Sequence, residues 1–393
     1  MKDFLPAHIY KAMKLMENHN FSPFLVGGCV RDYIMGECPH DYDITVSALP
    51  EEIISLFESE GYKTDFKGKQ FGTVAVYIDD EEIEITPHRT EGDYTDSRHP
   101  NKVEFVKDVR LDLSRRDITI NAMAMSLDGR ILDIFGGLDD IKSKTIRCVG
   151  NPAVRFTEDA LRILRVIRFA SRLGFSLEEE TRTALTFCKK LLKNISAERI
   201  QDELRRTLCF PYSYNILLEC DDVIKEIIPE FKADNFLMCE YGDFPLKLFS
   251  CIREASYEGA CNICEFLKLP NTESEKIKKL HMLYNSELTV ADNKIVFDNA
   301  AKISMCEGNA DYIKELFVFS GSDMTSLNNF TENGVYMSRQ LAVTGGEIAS
   351  SGLFAKNLTG LIHKKVLHSV SVGEIENTRS AIFDYLKSPD FII

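Results

Sequence analysis

The feature that most constrains this chain is a change of hydrophobic period near residue 150. Before that point, short strand-like runs alternate with helical stretches. Residues 7–19 carry Ile9, Met13 and Met16 at helical spacing, and Phe24-Leu25-Val26 is a brief apolar strand running into Gly27-Gly28. A helix-like stretch then continues to Met35. Asp41–Val46 alternates as a strand does, and Phe71–Ile78 with Glu82–Thr86 reads as a hairpin about Asp79-Asp80-Glu81. Thr119–Met125 and Arg130–Ile134 suggest two further strands about Asp128-Gly129. From Pro152 onward nearly every segment reads as helix, broken near Gly174, Pro211, Pro229, Pro245, Pro270 and Gly321-Ser322. The expected class is therefore α+β: a mixed sheet with helices to residue 147, then an all-α remainder. A chain of 393 residues can support several cores.

Composition narrows the function classes. With 44% hydrophobic and 27% charged residues the chain is an ordinary globular one rather than a disordered one. No apolar run approaches the ~18 residues of a membrane span. The start, Met1-Lys2-Asp3-Phe4-Leu5-Pro6, lacks the apolar core of a secretory signal, and eleven scattered cysteines read as free thiols, so the expected compartment is the cytoplasm. Cys261-x-x-Cys264 has no second ligand pair nearby and is read as helix packing, and Lys276–Lys279 as a solvated helix face. A net charge of −14 argues against a generally nucleic-acid-binding surface. The charge is unevenly spread, however. Residues 1–100 hold 9 basic and 19 acidic side chains, whereas residues 101–200 hold 19 basic and 14 acidic. A localised phosphate site would produce such a belt; so would a solvated helix face.

Four constellations favour the phosphate site. Asp41 and Asp43, two apart on an expected strand, would project from one face, and Glu84 would add a third carboxylate from a neighbouring strand. Close carboxylates repel unless a cation lies between them, and hard oxygen donors suit Mg²⁺. Such a set fits metal-assisted phosphoryl transfer. Gly27 and Gly28, between strand and helix, would let backbone approach a phosphate, with Arg31 adding a charge-assisted contact. No Walker loop occurs. Arg115 and Arg116, opening an expected buried strand, need an anion or carboxylate, for which nucleotide phosphate and Asp117 are the two candidates. Asn121, inside the same apolar run, needs hydrogen-bond partners.

The fourth is Thr157–Phe169, read as one helix with Thr157 as N-cap. Asp159 and Arg162 are three apart, as are Arg162, Arg165 and Arg168, so neighbours would stack on successive turns. An ion pair on a solvated face is one reading. The other concerns base edges. Cytosine and adenine each offer an amino donor beside a ring-nitrogen acceptor, which a carboxylate next to a guanidinium matches. Guanine and uracil present the opposite order.

Read together, these segments resemble the class II tRNA nucleotidyltransferases, the CCA-adding enzymes of the polymerase-β-type superfamily, to which bacterial poly(A) polymerases also belong. The resemblance is carried by Leu25–Asp32, Asp41–Leu49, Gly72-Thr73-Val74, Glu84-Ile85-Thr86, Arg89–Pro100, Arg115–Ala124, Phe135-Gly136-Gly137 and Arg155–Phe175. It departs at Ile118, at Ile134 and at Pro87-His88. It implies a polymerase-β-like head (1–147), a base-recognising neck (148–209), a helical body (210–308) and a tRNA-binding tail (309–393). It also implies Mg²⁺ on Asp41 and Asp43, support from Glu84, and nucleotide contacts from Gly28, Arg31, Arg116, Arg165 and Arg168. Asp159 and Arg162 would read the base, and Arg89–Pro100 would match a loop used in switching from CTP to ATP. The implied activity is addition of CCA to tRNA from CTP and ATP, with no membrane and no protein partner. Poly(A) polymerase, CC-only addition and a non-catalytic tRNA-binding factor stay open at this point.

Overall fold

The computed structural model describes residues 5–68, 72–92, 103–236, 242–291, 294–389 and 391. The chain divides into two compact units, Met1–Pro229 and Glu230–Ile393.

The first unit is built on a seven-stranded mixed sheet in the order β3-β4-β5-β2-β1-β8-β9. Its strands are β1 (Phe24–Val26), β2 (Asp43–Val46), β3 (Lys63–Gly68), β4 (Thr73–Ile78), β5 (Glu81–Pro87), β8 (Met123–Met125) and β9 (Ile131–Asp133), with β6 (Arg89–Glu91) and β7 (Val103–Phe105) forming a separate antiparallel pair. Only β2 and β5 pair in parallel within the sheet. The β4–β5 hairpin closes at Asp79 and Asp80, both at positive φ (54° and 65°), the geometry of a two-residue turn that matches strand twist.

One sheet face is apolar and covered. Leu25, Ile44, Ile85 and Met125 face α1 (Ala7–Asn18), α2 (Gly28–Met35) and α3 (Pro50–Ser59), which contribute Ile9, Met13, Met16, Val30, Ile53 and Phe57 to one core. Cross-strand register sends the alternate residues to the other face. Val26 pairs with Asp43 and with Ala124, and Ile44 with Ile85, so Asp43 and Glu84 share the face opposite the helices. Val26 and Ala124 there pack on Val109 and Leu113 of α4 (Val109–Ser114).

The rest of the unit is helical: α5 (Gly137–Ser143), a short β10–β11 pair (Thr145–Ile146 and Ser176–Leu177), α6 (Pro152–Glu158), α7 (Leu161–Leu173), α8 (Glu179–Cys188), α9 (Ala197–Cys209), α10 (Ser213–Glu219) and α11 (Asp221–Ile224). Three expectations are corrected. Thr119–Asn121 is a 3₁₀ turn rather than strand, so Arg115 and Arg116 follow α4 instead of opening a strand. Asp41 precedes β2 rather than lying on it. The expected helix from Thr157 is two helices, broken at Asp159 (φ −137°, ψ 105°), and Asn151, not Thr157, caps the first by accepting from Val154 N. The break has a local cause: the Asp159 carboxylate accepts the Leu161 N–H, replacing an intrahelical bond with a side-chain cap.

The second unit contains α12 (Phe244–Ile252), α13 (Tyr257–Phe266), α14 (Asn271–Met282), a short β12–β13 pair (Val290–Ala291 and Lys294–Ile295), α15 (Asn299–Ser304), α16 (Ala310–Ser320), α17 (Met324–Asn333), α18 (Gly345–Ser350), α19 (Thr359–Ser371) and α20 (Arg379–Lys387). Phe249, Tyr284, Phe317 and Phe319 anchor one core, and Val343, Ile362, Val366 and Ile382 another. Cys264 is buried on α13, its thiol pushed up to about 11 by burial. Lys276 is not on a solvated face: its ammonium bridges Asp243 (3.0 Å) and Glu315 (2.7 Å). Among the described residues no helix is long and apolar enough to cross a membrane.

Candidate active site

The site begins where β1 ends. Gly27 adopts φ 77° and ψ −135°, a conformation closed to L side chains. A Cβ there would lie 3.2 Å from Arg116 Nη1 and 3.3 Å from Asp43 Oδ2, so the missing side chain leaves room for both the guanidinium and the carboxylate at this turn. Gly28 opens α2, whose N-terminus borders a cavity of about 620 Å³. Helix N-termini favour anions.

Asp41, Asp43, Gly27, Gly28, Arg31, Arg116, Asp159, Arg162, Arg165 and Arg168 all line this cavity. Among the described residues, nine arginines and five aspartates line it, which locates the basic belt of the sequence. Glu84 lines an adjoining cavity of about 230 Å³ that shares Asp43, Arg89, Arg115 and Arg116 with the first. The Asp43 carboxyl pKa is raised, first by desolvation and then by Asp41, with Arg116 opposing and Glu84 adding a smaller push upward. Asp41 is exposed, and its Oδ1 accepts from Tyr42 N at 2.9 Å. Burial, then Asp43, pushes the thiol of the neighbouring Cys29 up to about 12.

Arg31, Arg116, Arg165 and Arg168 each stand against a carboxylate that the sequence pattern does not assign to them. Arg31 is 1% exposed and donates to Asp32 Oδ1 (2.9 and 2.6 Å) and to Asn121 Oδ1 (2.7 Å), which supplies the partner Asn121 needed. Arg116 Nη2 donates to the buried Asp112 at 3.1 Å. Arg165 Nε donates to Asp117 Oδ2 at 2.7 Å; burial alone would raise the Asp117 carboxyl pKa, but Arg165, with Arg162 and the Ile118 N–H, more than offsets it and holds it below the usual range. Arg168 Nε lies 2.6 Å from Glu203 Oε2 on α9. The guanidinium carbons of Arg168, Arg31 and Arg165 stand 4.3, 5.7 and 5.7 Å from the Phe169 ring centroid.

The Asp159–Arg162 pair departs from expectation. They are not stacked on one helix. Asp159 Oδ2 accepts from Arg199 Nη2 at 2.9 Å, while Arg162 Nη1 donates to Glu158 Oε2 at 2.6 Å and its Nη2 to the Arg115 carbonyl at 2.9 Å. Both nevertheless border the same cavity. Sequence reasoning missed Asp112, Glu158, Arg199, Glu203 and Phe169. Asp112 and Glu158 stand three or four residues from their arginines, a spacing that could have found them. Glu203 meets Arg168 through the packing of α7 on α9, and Arg199, also on α9, meets Asp159 at the break before α7. Of the segment Arg89–Pro100, residues 93–100 lie outside the described residues.

Comparison with known proteins decides the family. Residues 23–147 match the family "Poly A polymerase head domain", and residues 174–235 match "Probable RNA and SrmB- binding site of polymerase A". Along nearly its whole length the chain is 35% identical to the CCA-adding enzyme of Lactobacillus johnsonii, covering 95% of each chain. The chain belongs to the CCA-adding enzymes. The Bacillus pumilus CCA-adding enzyme is 34% identical, over 98% of this chain and 97% of its own. Among solved structures, the Bacillus stearothermophilus CCA-adding enzyme in complex with CTP is 26% identical, covers 96% of both chains and superposes with a TM-score of 0.66. The α+β architecture, a mixed-sheet head followed by helices, is that of the CCA-adding enzymes.

Proposed function

We propose that this chain adds C, C and A to the 3′ end of tRNA, using CTP and ATP and releasing pyrophosphate, with the 620 Å³ cavity as its active site. The observation that carries the reading is the convergence on one cavity of two carboxylates, an arginine-lined anion site and the Asp159–Arg162 pair. The tRNA 3′ oxygen forms a bond to the α-phosphorus as the bond to pyrophosphate breaks. Arg116, Arg165 and Arg168, with Gly27 and Gly28 at the turn, bind the triphosphate and offset the charge that develops on it. Arg31, held by Asp32 and Asn121, lines the same cavity. Asp159 accepts from the base amino group and Arg162 donates to the ring nitrogen, which admits cytosine and adenine, whereas guanine or uracil would set a carbonyl against the carboxylate and an N–H against the guanidinium.

CCA-adding enzymes belong to a superfamily that uses a divalent metal, and the donor set here fits Mg²⁺. Asp43 is raised by desolvation and by Asp41, with Arg116 opposing, and a cation between the two carboxylates would relieve their repulsion. Among the described residues no three His, Cys, Asp or Glu side chains form a metal-binding cluster. Two carboxylates suit an ion that keeps waters and takes phosphate oxygens for its remaining positions. Bound by Asp41 and Asp43, Mg²⁺ would supply Lewis-acid polarisation of the phosphate, and Glu84 would steady the local charge. The head, neck, body and tail are assigned to 1–147, 148–209, 210–308 and 309–393, with the tail meeting tRNA, and the compartment to the cytoplasm.

The test is incubation with tRNA lacking its 3′ CCA and each labelled triphosphate. Two C then one A are expected, with incorporation lost and tRNA binding kept in Asp41→Asn/Asp43→Asn. Long A tracts on many RNAs, a stop after CC, or tRNA binding without incorporation by the wild type would each overturn the reading.

A further inference from the structure

One buried carboxylate ties together three residues that border both cavities. Asp112, on α4, is fully buried and lines neither cavity. Its Oδ1 accepts from Arg115 Nε (3.0 Å) and Nη2 (2.8 Å) and, at 3.4 Å, from the backbone N–H of Arg89, the first residue of β6. Its Oδ2 accepts from Arg116 Nη2 at 3.1 Å. Arg89, Arg115 and Arg116 each line both the larger and the smaller cavity.

Resting on the triphosphate reading of Arg116 above, we infer that Asp112 is the positioning residue that aims the Arg115–Arg116 pair at the incoming phosphates. The Arg116 guanidinium is anchored at one end and needs room at the other. Nη2 is on Asp112, and Nη1 is in the space that a Cβ on Gly27 would crowd at 3.2 Å. Neighbouring guanidiniums repel, and a carboxylate between them both cancels that repulsion and sets the planes of the two forks. Burial opposes the charge on Asp112, yet Arg115 and Arg116 hold its carboxyl below the usual range, so the anchor is ionised across the neutral range. Charge count alone and orientation predict opposite signs. Removing a negative charge raises the positive potential of the cavity and would tighten CTP binding if the arginines acted as unplaced charges. If orientation governs, binding weakens, and only for ligands carrying phosphates.

The experiment measures affinities of CTP and of cytidine, which has no phosphate, for the wild type, Asp112→Asn, Arg116→Ala and the double variant. Asp112→Asn is expected to weaken CTP about tenfold, the worth of one charge-assisted contact. Cytidine affinity and the preference for CTP over UTP should stay unchanged. In the Arg116→Ala background Asp112→Asn should cost less than it does in the wild type, because one of the two arginines it aims is already gone. CTP binding that is unchanged or tighter in Asp112→Asn, while Arg116→Ala weakens it, overturns the inference alone. Equal weakening of cytidine makes Asp112 merely structural and also overturns it. Unchanged CTP binding in Arg116→Ala overturns the phosphate reading together with the inference. Should Asp112→Asn melt too low to titrate, Asp112→Glu, which keeps the charge but displaces the carboxylate by one methylene, carries the same expectations.

Discussion

Exchanging the two residues proposed to read the base, Asp159→Arg with Arg162→Asp, is the perturbation that most directly examines the site. In the structure the exchange has a cost that their spacing in sequence conceals. Asp159 sits 2.9 Å from Arg199 and Arg162 sits 2.6 Å from Glu158, so the exchanged chain places guanidinium against guanidinium and carboxylate against carboxylate. These four side chains are 9–24% exposed. A unit charge pair at 4 Å is bounded by about 4 kcal/mol at an effective dielectric of 20, and partly exposed pairs realise a fraction of that. Losing two attractions and gaining two repulsions is expected to cost about 2–5 kcal/mol of stability. Adding Arg199→Glu and Glu158→Gln removes both repulsions and should restore most of the melting temperature. In that four-residue variant, two base contacts at about 1.5 kcal/mol each should move relative kcat/KM from CTP toward UTP by about a hundredfold. The assay is single-nucleotide incorporation on tRNA lacking CCA, with each of the four triphosphates offered alone. A four-residue variant that melts like the wild type and still prefers CTP to UTP would refute the assignment of base reading to this pair.

Gly27→Ala should lower activity more than stability: the strained φ costs about 1–3 kcal/mol, and the added methyl crowds Arg116 and Asp43 together, so kcat for CTP incorporation should fall at least tenfold while the fold survives. Normal kcat in this variant would show that the turn does not set the site. His88, fully buried against Thr45, is pushed down to about 4, first by desolvation, with Asp112 and Asp108 opposing. Its folded pKa lies below the unfolded 6.5, so the unfolded chain binds the extra proton between those values. Its stability contribution is therefore complete above pH 6.5 and lost as pH falls toward 4, about 3 kcal/mol in all at 1.36 kcal/mol per pH unit. Denaturant titrations at pH 7.5 and 4.5 should show a smaller acid loss in His88→Gln than in the wild type, and equal losses would remove His88 as the cause.

Much of the frame was legible from spacing alone. Alternation found β1, β2 and the β4–β5 hairpin, because strand residues two apart share a face whatever they pack on. The Gly27-Gly28 turn was legible because a strand-to-helix corner at this φ excludes other residues. The cavity gathers Asp41, Asp43, Arg116, Asp159 and the α7 arginines as their types foretold. What local periodicity misread were places where a side chain competes with backbone or a distant element supplies the partner. Asp159 caps α7 instead of continuing a helix through it, and Thr119–Asn121 turns in 3₁₀ form with Asn121 accepting from Arg31, ninety residues earlier.

By itself, then, the order of residues determined which groups this enzyme owns and which elements carry them: acidic strand ends, a glycine corner, an arginine-rich helix after the head. Partner choice among those charges was decided only by tertiary packing. Arg162 goes to Glu158, Asp159 to Arg199, Arg168 to Glu203, and Arg115 and Arg116 together to Asp112. The reason is physical: secondary structure follows from interactions within a few residues, whereas a buried charge takes whichever opposite charge folding brings within about 3 Å, however far away in sequence it began.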